Sequence, residues 1–231
     1  MQAADQTLGT PEAQAPGFLT SSVGRKVVMA VTGIILFGFV TVHMLGNTQA
    51  YLGKEPFNHY AELLQTMVHG AGIWVFRGVM IAAAGLHGWA ALSLSMDNWK
   101  ARPVGYRAQQ MKSATWASRT MRWSGVVLAA FIVYHLLHLT VGSAHPAFIK
   151  GNAYHNFVEG FRVPLASAFY IVAQLCLGLH MWHGVWSLTQ TLGWVHPRYN
   201  KLRRGLASAL TLLVVGVNIS FPIAVLAGVI K

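Results

Sequence analysis

Eleven histidines stand in a chain of 231 residues of which only 10% are charged. Six of them, His43, His87, His135, His138, His180 and His183, fall inside long apolar runs. A polar, ionisable ring in such surroundings is costly, and the costs are met where it does chemistry. A neutral imidazole nitrogen is a metal ligand, and a titrating one carries protons. The alternative is a ring bonded to a neighbouring backbone, which six such residues make a weaker reading. His135 with His138, and His180 with His183, are spaced i, i+3, so each pair shares one helical face. No Asp or Glu lies in the same apolar runs.

The elements that hold these rings are long and apolar. A membrane-spanning helix needs about 20 mostly apolar residues. Five segments qualify, at about 27–46, 71–95, 123–142, 165–189 and 206–230. None alternates with period two, which argues against a barrel. The expected fold is an all-α integral membrane bundle of five spans over residues 23–231. Residues 1–22, rich in Ala, Gln and Pro, read as a flexible tail without the features of a secretory signal. Asn218 and Pro222 in the fifth span read as a local kink with a bonded amide.

Loop charge orients the bundle. Arg25, Lys26, Lys100, Arg102, Arg107, Lys112, Arg119, Arg122, Arg198, Lys201, Arg203 and Arg204 all fall on one side when five spans alternate. Lys54, Lys150, Arg162 and Lys231 fall on the other. The N-terminus is therefore expected inside and the C-terminus outside. The formal charge of +11 sits between apolar runs and forms no groove for nucleic acid. Tyr51, Trp99, Tyr106, Trp116, Tyr154, Trp194 and Tyr199 cluster at the span ends, as in interfacial aromatic belts.

Threaded this way, the histidines sort by depth. His43, His135 and His138 fall in an outer layer, and His87, His180 and His183 in an inner one. At 1.5 Å per residue the layers lie roughly 15 Å apart. Each layer draws on two different spans, which is what two six-coordinate haems stacked across a membrane require. Only one member of each i, i+3 pair can be an axial ligand, and spacing alone does not choose. The single cysteine, Cys176, excludes a CxxCH attachment, so any haem is non-covalent. Glycines beside the candidate ligands would leave room for a macrocycle, and equally suit close helix packing.

At these residues the chain resembles the cytochrome b subunit of succinate dehydrogenase and fumarate reductase in its single-chain, five-helix, two-haem form. The resemblance rests on SSVGRKVVMAVTG leading to VHML around His43, GLHGW around His87, YHLLHLTVG around His135 and LHMWHGVWSLTQTLGWVHPRYN around His180. It implies two b-type haems, the outer one held by His43 and His135 and the inner one by His87 and His180. Relatives often read HLLD where this chain has His138, which favours His135. The distance to Gly193-Trp194 favours His180, with His183 selected by the other register. It further implies passage of electrons between an iron–sulfur subunit and a quinone, expected to be menaquinone, in a bacterial cytoplasmic membrane. Flavoprotein and iron–sulfur subunits would dock on the basic inner face. The chain has no nucleotide-binding glycine fingerprint, so dicarboxylate chemistry is not its own.

Other polar residues are candidates for supporting roles. Arg77 could neutralise a haem propionate or snorkel to the interface. His59, Glu62 and His69 could exchange protons with a quinol or simply face solvent. Ser22 and Arg25 could bind a quinone at the inner end of the first span. A cytochrome b of another quinone-linked complex, of formate dehydrogenase or hydrogenase type, is the alternative reading. A proton-coupled transporter is a further one, disfavoured by spans without acids.

Overall fold

The computed structural model describes residues 17–101 and 116–231, with the side chains of 116–119 outside that description. Most of the expected tail, the charges Arg102, Arg107 and Lys112, Tyr106, and the side chains of Trp116 and Arg119 therefore lie outside the described part of the molecule. All regular structure among the described residues is helical. Five helices are long and apolar enough to cross a membrane, the number the sequence predicts. The chain is a multi-pass membrane protein.

Helix α1 (Ser22–Asn47) starts where the Ser21 hydroxyl accepts from the Gly24 amide at 3.0 Å, and runs on as a tight turn over Thr48–Leu52. Helix α2 (Lys54–Thr66) is short. It is followed by α3 (Ala71–Lys100) and α4 (Trp116–Leu136), whose last turn widens to a π turn over Leu137–Val141. A second short helix, α5 (Ala153–Arg162), leads into α6 (Pro164–Thr191), where Pro164 occupies the first position and loses no bond there. Helix α7 (Asn200–Leu226) completes the bundle. Inside α7 the Asn218 amide donates to the Val214 carbonyl at 2.9 Å, so the polar side chain near Pro222 is satisfied.

Helix α3 runs past Ser95 to Lys100, which puts Asp97 on the helix. A lone carboxylate there would disfavour the continued helix. Arg25 of α1 pairs with Asp97 and donates to Ser93 Oγ at 2.9 Å, so charge and donors are both met.

Helix α1 packs on α3, α4 on α6 and α6 on α7, while α1 also touches α6 and α7. Faces turned away from these contacts stay apolar and exposed, with Leu165 at 81% and Leu212 at 72%. Those are lipid-facing surfaces, because lipid rather than water is the solvent.

The packed core is concentrated at one end, here called the cap side; the opposite end is the far side. On the cap side α2 and α5 lie across the bundle and bury Phe57, Phe157 and Phe161 against Phe131, Tyr170 and Phe221. Phe157–Phe161 and Phe161–Tyr170 meet edge to face at 4.9 Å, each such pair adding about 0.5–1.5 kcal/mol beyond its buried area. Asn58 stitches α2 to α5, its Oδ1 accepting from the Tyr154 amide at 2.8 Å and its Nδ2 donating to Asn152 Oδ1 at 3.2 Å. Asn156 exchanges two 2.8 Å bonds with the Ile149 backbone. Short amphipathic helices of this kind carry no long apolar run, so hydropathic length does not predict them.

Candidate functional site

The bundle brings four of the six intramembrane histidines together in two pairs. His43 of α1 faces His135 of α4 on the cap side, ring centroids 5.8 Å apart. His87 of α3 faces His180 of α6 towards the far side, at 6.2 Å. Among the described residues, α1 makes at most a grazing contact with α4, and α3 with α6. The rings therefore meet across gaps between helices that do not pack on each other.

The far-side pair is held symmetrically. Thr32 Oγ1 donates to the Val28 carbonyl at 2.7 Å and lies 3.1 Å from His87 Nδ1. Ser124 Oγ donates to the Met121 carbonyl at 3.0 Å and lies 3.3 Å from His180 Nδ1. Each hydroxyl has committed its proton to its own helix, so its oxygen accepts from the ring. The Met29 and Met121 carbonyls, which can only accept, lie close to these two rings and favour the same ring N–H. Both imidazoles are thereby set as Nδ1–H tautomers, and each Nε2 keeps a free lone pair. Gly33 and Gly125 follow the two hydroxyls, and a Cβ on either would stand 3.5 and 3.7 Å from Cε1 of the facing ring.

The cap-side pair is held asymmetrically. The Tyr170 hydroxyl lies 3.2 Å from His135 Nδ1 and 3.0 Å from His138 Nδ1. It has one proton, so it can donate to only one of the two rings and accepts from at least one of them. His138 is 1% exposed and stacks on Tyr134 at 5.3 Å and on His145 at 4.9 Å. A Cβ on Gly160 would come within 2.8 Å of His138 Cε1 and 3.1 Å of His145 Nε2, so only glycine lets α5 approach. His138 is thus enclosed under the cap, away from the facing pair. The other partner, His43, stacks on Phe39 at 5.3 Å and has the Asn47 amide 3.3 Å from its Nε2, the lone pair a metal would take.

His145, which hydropathy does not single out, is a satisfied structural ring. Its Nε2 donates to the Asn156 carbonyl at 2.8 Å and its Nδ1 accepts from the Ala147 amide at 3.0 Å. His183 is half-buried one turn beyond His180. Arg77 is exposed and lies over the Trp74 ring at 4.9 Å. His59, Glu62 and His69 are exposed around the cap, with His69 in the left-handed region at φ 52°. Ser22 is exposed and Arg25 is engaged with Asp97, both at the far end of α1.

The arrangement is written twice in the sequence. M-x2-[TS]-G-x5-F-x3-H spans Met29 to His43 on α1 and Met121 to His135 on α4. G-L-H-x-W spans Gly85 to Trp89 on α3 and Gly178 to Trp182 on α6. The second repeat aligns His87 with His180 rather than His183, and the first explains why one hydroxyl and one ring recur eleven residues apart, roughly 16 Å along each helix.

Two donors per site suit a particular kind of metal group. Among the described residues no three His, Cys, Asp or Glu converge as a bare ion would need. A metal with four macrocycle nitrogens needs only two more. With metal–nitrogen bonds of about 2 Å and each ring centre about 1 Å behind its nitrogen, trans imidazoles have centroids roughly 6 Å apart. Both observed pairs match that spacing, and the unpacked gaps match a flat group. The residues fit bis-histidine haem.

Fold and site together define a five-span helical membrane protein with two layers of facing histidines. The model of the succinate dehydrogenase/fumarate reductase transmembrane subunit matches residues 98–219, just over half of the chain. The chain belongs to that family of membrane anchor subunits. No curated protein and no solved structure matches the chain.

Proposed function

We propose that the chain holds two haems and passes electrons between an iron–sulfur subunit and a membrane quinone. Bound there, b-type haems would supply two one-electron redox centres whose potentials follow ligand, hydrogen bonding and burial. His43 and His135 would hold one haem on the cap side, and His87 and His180 the other towards the far side. Thr32 and Ser124 orient the second pair, and Tyr170 orients His135. The cap side faces outward and the far side faces the cytoplasm, an orientation supported by the positive-inside distribution of Lys and Arg, and the membrane in this reading is a bacterial cytoplasmic one. Flavoprotein and iron–sulfur subunits dock on that inner face, where Lys26, Arg198 and Lys201 are exposed. The quinone, menaquinone in this reading, is bound near Ser22 and Arg25 or beside His59, Glu62 and His69, whose exposure lets protons reach it.

The observation that carries the reading is the double ring pair at axial-ligand spacing across unpacked gaps. A reduced-minus-oxidised spectrum with a pyridine haem assay on the purified protein tests it. The expected result is two b-type haems per chain, with His180→Ala losing one and His183→Ala keeping both. A featureless visible spectrum would overturn the reading, and the reverse pattern would move the ligand to His183.

A further inference from the structure

The cap-side connections and the C-terminal residue supply four basic side chains, Lys54, Lys150, Arg162 and Lys231. Three of these converge. Lys54, Arg162 and Lys231 line one pocket of about 150 Å³, together with Asn152, His155 and Glu159. Glu159 pairs with Arg162, and the carboxylate of Lys231 accepts from the Tyr154 hydroxyl at 2.8 Å. Two carboxylates therefore stand against three cations, and among the described residues the Lys54 and Lys231 ammonium groups have no ion-pair partner. The neighbouring polar groups are engaged elsewhere. Asn152 Oδ1 accepts from Asn58 and from the His155 amide, and His155 Nε2 donates to the Ala147 carbonyl. Helix α2 begins at Lys54, and its N-cap, Gly53, has no side chain to cap the first amides. Glu55 stands in the first turn of that helix and offsets its positive end, so the spare positive charge of the pocket is that of Lys54 and Lys231. Like charges gathered at one place repel one another unless an anion sits among them.

The surface beside the pocket is apolar. Leu165, three residues past Arg162, is 81% exposed, and Val229, two residues before Lys231, is 70% exposed. The cations thus stand where the polar cap meets the lipid-facing flank of α6 and α7. We propose that this pocket binds a phosphate oxyanion, supplied by the headgroup of an anionic phospholipid whose chains lie along Leu165 and Val229. Inorganic phosphate is the other source of the same chemistry. The site is separate from the paired histidines and independent of the group they bind.

The test uses the full chain in nanodiscs of phosphatidylcholine doped with phosphatidylglycerol. Lipid retained after mild delipidation is counted by native mass spectrometry. Wild type is expected to retain phosphatidylglycerol selectively. Each cation removed should weaken retention about fivefold, and Lys54→Gln/Lys231→Gln roughly 25-fold. Lys150→Gln, outside the pocket, should leave it unchanged, and equal helicity of all variants by circular dichroism separates lost binding from lost fold. A thermal shift with inorganic phosphate in lipid-free micelles forms the second arm. A shift in wild type that the double variant lacks, without selective lipid retention, supports the oxyanion site and assigns it to a soluble ligand. Equal lipid retention and equal phosphate response in wild type and the double variant overturn the proposal.

Discussion

The two layers of histidines are built on opposite principles. Towards the far side, both rings lean on hydroxyls of the neighbouring helix, Thr32 and Ser124, with backbone carbonyls of Met29 and Met121 close by. No cap closes over that layer among the described residues. On the cap side one ring hangs on Tyr170, which also bonds His138 and belongs to the aromatic core beneath α5. The first arrangement is local and duplicated, and the second is tied to tertiary packing. Loss of one partner should therefore be absorbed on the far side and transmitted on the cap side.

The largest expected contrast lies within one helix turn. His135→Ala removes one of the two rings proposed to hold the cap-side haem, and the protein should lose one haem of two in a pyridine assay. His138→Ala removes a ring that faces Tyr170 and His145 instead, so both haems should remain while the thermal midpoint falls. Loss of haem in the second variant and retention in the first would exchange their roles.

Next in size is the approach of α5. Gly160→Ala places a methyl 2.8 Å from His138 and 3.1 Å from His145, and overpacking of this kind costs about 1–3 kcal/mol. The measurement is the thermal midpoint in detergent, with Gly38→Ala as the control, since nothing lies within 4 Å of a Cβ there. Equal midpoints for the two variants would mean that the cap is loose and that its hold on His135 is weak.

How much of the molecule is legible in the sequence follows the same division. The spans are legible because hydropathic length is a property of contiguous residues, and the histidines because ionisable rings stand out in them. The cap is not, since α2 and α5 are short, amphipathic and stable only through Phe57, Phe157 and Phe161 meeting residues far away in the chain. Thr32 and Ser124 are hidden for another reason. A hydroxyl in a membrane helix ordinarily bonds back to its own carbonyls. These do so too, and only the facing ring reveals the second use of their oxygens. The G-L-H-x-W repeat is a signal present in the sequence that favours His180 over His183.

Tyr170→Phe tests the cap-side tether electrically. If His135 donates Nδ1–H to Tyr170, the bond makes its Nε2 more basic and favours oxidised iron. Its loss should raise the potential of the cap-side haem alone. A hydrogen bond worth about 1 kcal/mol corresponds to roughly 40 mV for one electron. Redox titration with resolved haem signals measures it, and an unmoved cap-side potential would show that Tyr170 serves His138 only.

The smallest effect is expected from Thr32→Val and Ser124→Ala, for the same chemistry with a different architecture. Each removes a hydroxyl that accepts from a ring Nδ1–H, so the sign is the same, a rise confined to the far-side haem. The size is smaller because the Met29 and Met121 carbonyls remain beside the same rings and take over the proton. The two hydroxyls act on different rings of one site and share no partner, so their shifts should add. A rise in either variant as large as that in Tyr170→Phe would mean that the carbonyls do not substitute. The far-side layer would then depend on its hydroxyls as strictly as the cap-side layer depends on its tyrosine, and the contrast between them would rest on packing alone.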